Sequence, residues 1–341
     1  MRILQLYNDY RSGKYQSGGG GETRMVELID RVLKLRGYSV KTCIRDSNRI
    51  GSRTDKIRAF ATGVYSPSAK REVAGIIREW TPDVVHVHNL YPLFSPSVLE
   101  ASQEAHVPVV MSVHNYRLTC PISVHFRNGQ NCQLCIHGNA YHCLVGNCAG
   151  DPFTSAGYAF RNTVARMRGQ FSDHVNLFLA VSGFVRNKMI EGGYDPQKID
   201  VLENGVPLPQ YTSSNLIGGH VAYVGRMREE KGVETLLKVA RRLPACKFMF
   251  VGDGPERARW EAASTANCSF LGRQDSAGVE EIYRTARLVV VPSLWWEPFG
   301  LVVVEAMSHG RAVVAAQSGA IPELVTHGTD GLLFPPETTT R

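Results

Sequence analysis

Arg226 and Lys231 flank a turn that Gly225 opens and Gly232 closes, just after an apolar run ending at Val224 and before a helix-like stretch. In doubly wound folds the turn between a strand and the following helix is where ligands bind. Gly225 lets the main chain approach a ligand closely. Arg226 and Lys231 can converge on a diphosphate, the guanidinium as a planar fork and the ammonium as a point charge. Spacing alone fits a solvated surface turn equally well.

A second stretch carries more information. From Pro292 to Ala306 the chain reads as strand end, loop and helix, with Glu297 in the loop before Pro298 and Gly300, and Glu305 on the second turn of an apolar helix. The free amides near Phe299, Gly300 and Leu301 at the helix start offer donors to phosphate or sugar oxygens. An unpartnered carboxylate on a buried helix is costly, so Glu305 needs a partner. A ribose diol would serve, and so would an internal arginine.

The order Gly225-Arg226, Lys231-Gly232, Glu297 and Glu305 resembles glycosyltransferase family 4. Further matches run along nearly the whole chain: Gly18 to Gly21 with Glu22, Asp83 to His88, Ser112 to Asn115, Val181-Ser182, Asn204 to Val206, Val251 to Pro255 and Gly319 to Glu323. The resemblance implies an α/β protein of the GT-B class, two Rossmann-like domains with parallel sheets facing a central cleft. It implies a retaining hexosyltransferase-type enzyme that moves a sugar from a nucleotide-diphosphate donor, UDP- or GDP-linked, to an acceptor hydroxyl in polysaccharide or glycoconjugate biosynthesis. The acceptor would be a saccharide or a lipid-linked saccharide. By similarity Arg226 and Lys231 bind the diphosphate, Glu305 the ribose and Glu297 the transferred sugar, with Gly225, Phe299, Gly300 and Leu301 adding main-chain contacts. Gly20 and Gly21 approach the phosphates, and His114 sits near the sugar. No cofactor is then needed for catalysis: cations and amides stabilise the leaving diphosphate. His86 and His88, on one face of a strand, read either as acceptor-side residues or as hydrogen-bonded packing.

Five of the eight cysteines crowd one segment, Cys120, Cys132, Cys135, Cys143 and Cys148, with His125, His137 and His142 among them. This spacing suits a structural zinc ion, and it also suits reduced thiols under a loop; disulfides conflict with a reducing compartment. The insertion follows His114 directly, which leaves the acceptor side the least legible part of the site.

Elements that must position these residues follow a βα alternation. Strand-like runs Ile3–Tyr7, Ser39–Ile44, Val84–His88, Val107–Val113 and Leu177–Val181 alternate with helical segments such as Glu22–Arg36 and Ala69–Trp80. The pattern restarts with Val221–Val224, Phe248–Val251, Leu288–Pro292 and Ala312–Ala316, with helices at Val233–Leu243, Pro255–Ala263 and Leu301–Ser308. Two parallel sheets are expected. The expected division is a domain over 1–205 with the Cys-rich insertion at 120–148, a Pro-, Ser- and Gly-containing linker over 206–218, and a nucleotide-sugar domain over 219–341 that reads as truncated after Gly331–Phe334.

The 341 residues, 43% hydrophobic and 20% charged, exclude a disordered chain. Net charge of +7 suits an anionic ligand, but the basic residues are scattered, which argues against nucleic acid. No apolar run approaches a membrane span, so a cytoplasmic protein is expected, with peripheral membrane contact through Arg161, Arg166 and Arg168 amid Phe160, Val164 and Met167 set against a solvated helix face. Gly18 to Glu22 is followed by Thr23, which fails the dinucleotide fingerprint of an oxidoreductase. An epimerase or hydrolase acting on a nucleotide sugar is the alternative within the same fold.

Overall fold

The computed structural model describes residues 1–9, 21–46, 60, 62–209 and 218–336. Its strands, in chain order, are β1 (Arg2–Asp9), β2 (Ser39–Asp46), β3 (Val84–Val87), β4 (Val109–Val113), β5 (Phe126–Arg127), β6 (Gln130–Asn131), β7 (Leu177–Ala180), β8 (Ile199–Val201), β9 (His220–Val224), β10 (Lys247–Val251), β11 (Cys268–Gly272), β12 (Ala286–Val291), β13 (Ala312–Ala316) and β14 (Gly331–Phe334). Contacts divide the chain into an N-terminal unit, residues 1–124 and 133–203, and a C-terminal unit, residues 125–132 and 204–341. The short hairpin β5–β6 therefore groups with the C-terminal unit although it lies within the sequence of the first.

Each unit is an α/β layer structure on a parallel sheet, a Rossmann-like plan. The N-terminal sheet has the order β2-β1-β3-β4-β7-β8, and the C-terminal sheet β11-β10-β9-β12-β13-β14. All pairings within the two sheets are parallel. Burial on both faces explains the continuous apolar runs. In the C-terminal unit Ala222, Val289, Val291, Val313 and Ala315 pack on one face, while Tyr223, Phe248, Phe250 and Val290 pack on the other. This is the two-residue alternation of strands expressed as two separate cores.

Several helices begin on side-chain caps that the sequence supplies. Ser66 accepts from Ala69 N before Pro67, Asp151 from Thr154 N before Pro152, and Ser182 from Val185 N. Such caps satisfy main-chain donors that helix geometry leaves open. Strands β8 and β11 carry no continuous apolar run: β8 is three residues at a sheet edge, and β11, at the edge of the other sheet, holds only Phe270 and Leu271 as large apolar residues.

Candidate functional site

In the C-terminal unit the strand order reverses between β9 and β12. In open parallel sheets a ligand crevice forms at such a point, beyond the carboxyl ends of the strands, because the two following loops diverge. The loop after β9 carries Gly225, Arg226 and Lys231; the loop after β12 carries Ser293 to Glu297. Distant segments of sequence become adjacent through this topology.

Lys231 Nζ lies 2.6 Å from Glu297 Oε1, and Ser293 Oγ donates to the same oxygen at 2.5 Å. The ammonium also sits 4.7 Å from the centroid of the Trp295 ring. Burial opposes ionisation of Glu297, but the charge and hydrogen bond of Lys231, with the Ser293 hydroxyl, outweigh it and hold the carboxyl below its ordinary range. The pair is a preassembled ion pair with little solvent around it.

Two glycines make the loops possible. Gly232 has φ +68°, and a Cβ there would stand 1.8 Å from Pro292 O. Gly319 has φ +64°, and its Cβ would meet Glu297 O at 2.2 Å. Both positions thus need left-handed backbone without a side chain. Ala320 N donates to Glu297 O at 2.9 Å, and Leu294 N and Trp295 N both donate to Glu230 O, tying the two loops together.

Arg226 shares this end of the sheet: its charge and that of Glu297 both act on the buried Tyr223 phenol, whose hydroxyl donates to Arg226 O. The Arg226 guanidinium makes no hydrogen bond or ion pair with the described residues. Gly300 initiates the Leu301–Ser308 helix in left-handed backbone, φ +107°, and Phe299 is buried. Glu305 has a partner inside the unit: Tyr283 Oη donates to its Oε2 at 2.7 Å. Ser293, Tyr223 and Tyr283 carry no motif and were missed from sequence.

The N-terminal unit has a pocket of its own, at the carboxyl ends of β3 and β4 and the start of the Gly21–Leu35 helix. Glu22, His88, Asn89, His114, Asn115 and Arg117 line it. His86 Nε2 contacts Ser112 Oγ at 2.8 Å, and His88 Nδ1 contacts His114 Nε2 at 3.0 Å. Burial pushes the His86 imidazole down to about 4 and that of His114 to about 3, and holds His88 well below the usual histidine range. All three rings are neutral near pH 7. One ring of the His88–His114 pair must therefore donate and the other accept. The outer nitrogens, His88 Nε2 and His114 Nδ1, are buried with no hydrogen-bond partner among the described residues. Whichever tautomer forms, they offer one N–H and one lone pair, the complement of a hydroxyl group.

Glu22 accepts from Asn115 Nδ2 at 3.3 Å. Burial raises its carboxyl to about 7, against the opposing charge of Arg117 and the amides of Asn115 and Asn89. Gly21 begins the helix and is exposed, while Gly20 lies outside the described residues.

The cysteine segment separates into parts. Cys135 and Cys143 are buried together with Ala140 and Ala159, with Cys148 packed against them, and all eight cysteines are free thiols. Burial and the neighbouring Cys148, Cys135 and Cys120 push the Cys143 thiol far up. Cys132 groups with the C-terminal unit. His125 Nδ1 donates to Cys132 O at 2.8 Å. Among the described residues no group of three or more His, Cys, Asp or Glu side chains is arranged to hold a metal ion. The buried thiols pack as small apolar groups.

Arg161 and Arg166, read from sequence as part of a basic membrane face, serve the interior. Arg161 stacks on Tyr91 at 3.8 Å and on Tyr158 at 4.8 Å, and Arg166 donates to Gly192 O and Ile136 O. Phe160 and Met167 on the same helix are exposed. No helix among the described residues is long and apolar enough to cross a membrane.

The Glycosyltransferase Family 4 model matches residues 18–209, and the Glycosyl transferases group 1 model matches residues 218–341. The chain belongs to glycosyltransferase family 4. D-inositol 3-phosphate glycosyltransferase of Mycobacterium leprae (strain Br4923) is 35% identical to this family 4 chain over 160 residues, 41% of this chain and 37% of that enzyme. The corresponding Mycobacterium tuberculosis (strain F11) enzyme is 33% identical over 162 residues, 41% of this chain and 34% of that enzyme. The chain thus spans little more than a third of the length of the curated relatives it matches. Among solved structures, Anabaena HepE in complex with UDP-glucose superposes with a TM-score of 0.67 at 21% identity, covering 99% of this chain and 86% of HepE. Sucrose-phosphate synthase from Thermosynechococcus elongatus gives 0.67 at 18% identity, covering 98% and 86%. These structures share the GT-B fold.

Proposed function

We propose that this family 4 protein is a retaining glycosyltransferase that transfers a sugar from a nucleoside-diphosphate donor to a hydroxyl of a saccharide or lipid-linked acceptor. The observation that carries the reading is the Lys231–Glu297 pair at the topological switch point of the C-terminal sheet, with the Arg226 guanidinium, on the same loop as Lys231, making no hydrogen bond or ion pair among the described residues. Arg226 and Lys231 take the diphosphate, and Glu297 accepts from sugar hydroxyls. Glu305, already oriented by Tyr283, accepts from the ribose, and the amides of Phe299 to Leu301 add donors. A nucleoside diphosphate leaves readily once its charge is met by preorganised cations, so the protein needs no nucleophile of its own. Departure of the diphosphate on the face that the acceptor hydroxyl then attacks retains configuration, and a leaving phosphate oxygen takes the hydroxyl proton. Neutral His114 contributes a hydrogen bond and not a charge. HepE supports a UDP-sugar as the donor to try first.

The test is a panel of UDP-, GDP- and ADP-sugars measured by thermal shift. A bound donor at a hundred times its dissociation constant stabilises by about 2.7 kcal/mol, and Arg226→Ala should abolish that gain. A panel with no shift removes the donor assignment. Product formation that proceeds equally without any acceptor identifies an epimerase or hydrolase instead.

A further inference from the structure

The hairpin β5–β6 is built by a short sequence rule. Asn128 and Gly129 connect its two strands with φ of +52° and +76°. Positive φ at both central residues is the two-residue turn whose twist matches paired strands, and Asn-Gly is its preferred sequence. The base of the hairpin is closed by Cys132 N donating to His125 O at 2.8 Å and by His125 Nδ1 donating back to Cys132 O at 2.8 Å.

Asn131, at the end of this hairpin, spends its whole side-chain amide on the loop that carries Glu297. Its Nδ2 donates to Leu294 O at 3.1 Å, and its Oδ1 accepts from Trp296 N at 3.0 Å. The primary amide thus imitates one rung of a strand ladder against residues 294 and 296. The His125 ring lies 6.1 Å from the Trp296 ring, inclined at 53°. Other ties act elsewhere on the loop: Leu294 N and Trp295 N on Glu230 O, Ser318 Oγ on Trp295 O, and Ala320 N on Glu297 O. The Trp296 amide, directly before Glu297, is held by Asn131.

We propose that Asn131 is a positioning residue of the donor site: through the Asn-Gly hairpin it fixes the main chain from Leu294 to Trp296, and so keeps the Glu297 carboxylate on Lys231 and directed at the donor sugar. This rests on the reading of Glu297 as the sugar-binding acid. The cysteine-rich segment thereby gains a role at the donor end. Its effect is selective, because Asn131 touches neither Arg226 nor Lys231 in the described contacts. Loss of the clamp should weaken what depends on the sugar and leave binding of the nucleoside diphosphate alone unchanged.

Two variants test it. Asn131→Ala removes both hydrogen bonds, and Asn131→Asp keeps an acceptor for Trp296 N while losing the donor to Leu294 O. Hydrogen exchange by NMR should show the Trp296 amide exchanging at least about tenfold faster in Asn131→Ala, with the Leu294 and Trp295 amides unchanged and Asn131→Asp intermediate. With whichever sugar nucleotide of the panel the wild type hydrolyses, kcat/KM should fall by about ten- to a hundredfold in Asn131→Ala, the scale expected when a contact is misplaced by about 1 Å. Affinity for the matching nucleoside diphosphate should stay within about twofold, whereas general damage to the unit would lower both. Unchanged Trp296 exchange overturns the proposal, as does equal loss of diphosphate affinity. A Glu297→Gln control separates the two readings. If that variant hydrolyses the donor normally, the sugar-binding assignment of Glu297 falls and the proposal with it. If it is impaired while Asn131→Ala is kinetically silent, only the Asn131 proposal falls.

Discussion

Replacing Lys231 with methionine isolates the energetic core of the site. The 2.6 Å contact with Glu297 has side chains only 16% and 9% exposed. At this separation an effective dielectric of about 20 gives an attraction of roughly 6 kcal/mol, much of it offset by desolvation of both ions. Removing one partner is another matter, since it leaves the other charge buried; such losses run at about 3–5 kcal/mol. Ser293 Oγ still donates to Glu297, which argues for the lower end, about 3 kcal/mol. For a domain of this size that is a fall in Tm of roughly 6–12 °C. The pH dependence has a definite sign. In the wild type the Glu297 pKa is depressed, so its contribution is present above the unfolded carboxylate pKa and is lost as pH falls through the folded value. In Lys231→Met burial acts without the ammonium and raises that pKa, so the deficit is largest at pH 8 and shrinks as pH falls through the raised value and the carboxyl protonates. Lys231→Met/Glu297→Gln should recover to within about 1 kcal/mol of the wild type. Calorimetry and urea unfolding of the ligand-free protein at pH 5 and pH 8 measure all of this. A single-variant loss below about 1 kcal/mol, or a double variant no better than the single one, refutes the buried-pair argument.

The three neutral histidines make the N-terminal unit acid-labile. Their folded pKa values are lowered, so unfolding takes up protons as pH falls below about 6.5. His86 and His114 each cost about 2 kcal/mol of stability by pH 5, His88 acts in the same direction, and unfolding at pH 5 and pH 7.5 of the wild type against His86→Gln should show a shallower pH dependence in the variant. Glu22, raised to about 7, works in the opposite sense: stability is full below the unfolded pKa and declines as pH rises through 7, so Glu22→Gln should gain stability at pH 8 and match the wild type at pH 4. Gly319→Ala places a Cβ 2.2 Å from Glu297 O in left-handed backbone and should cost more than about 2 kcal/mol, read by urea unfolding, with the Ala320–Glu297 main-chain bond lost. Exposed Cys246 should alkylate with iodoacetamide well before Cys143, whose thiol is buried and shifted far up; mass spectrometry of partially labelled protein gives the order.

Apolar runs located most strands of both sheets, because residues buried on two faces must be continuously apolar; Ala312–Ala316 matches residue for residue, and so does the edge strand Gly331–Phe334, which is apolar without being fully buried. Gly232 and Gly300 lie in left-handed backbone that favours glycine, so the strand-turn-helix setting of Arg226, Lys231 and Glu297 was legible from residue type and spacing. What the residues could not tell was which loops meet. Glu297 joins Lys231, 66 residues away, only because the sheet order sets β9 beside β12. Glu305 turned to Tyr283, and His88 to His114, through contacts that leave no periodic trace. Asn131 is the clearest case: its amide meets main-chain groups 163 and 165 residues on, and main-chain partners impose no residue type that a sequence could display. The sequence set the elements and the chemistry at their ends, because burial and turn geometry act locally. Tertiary structure alone decided the pairings, because hydrogen bonds and ion pairs depend on which ends the topology brings within 3 Å.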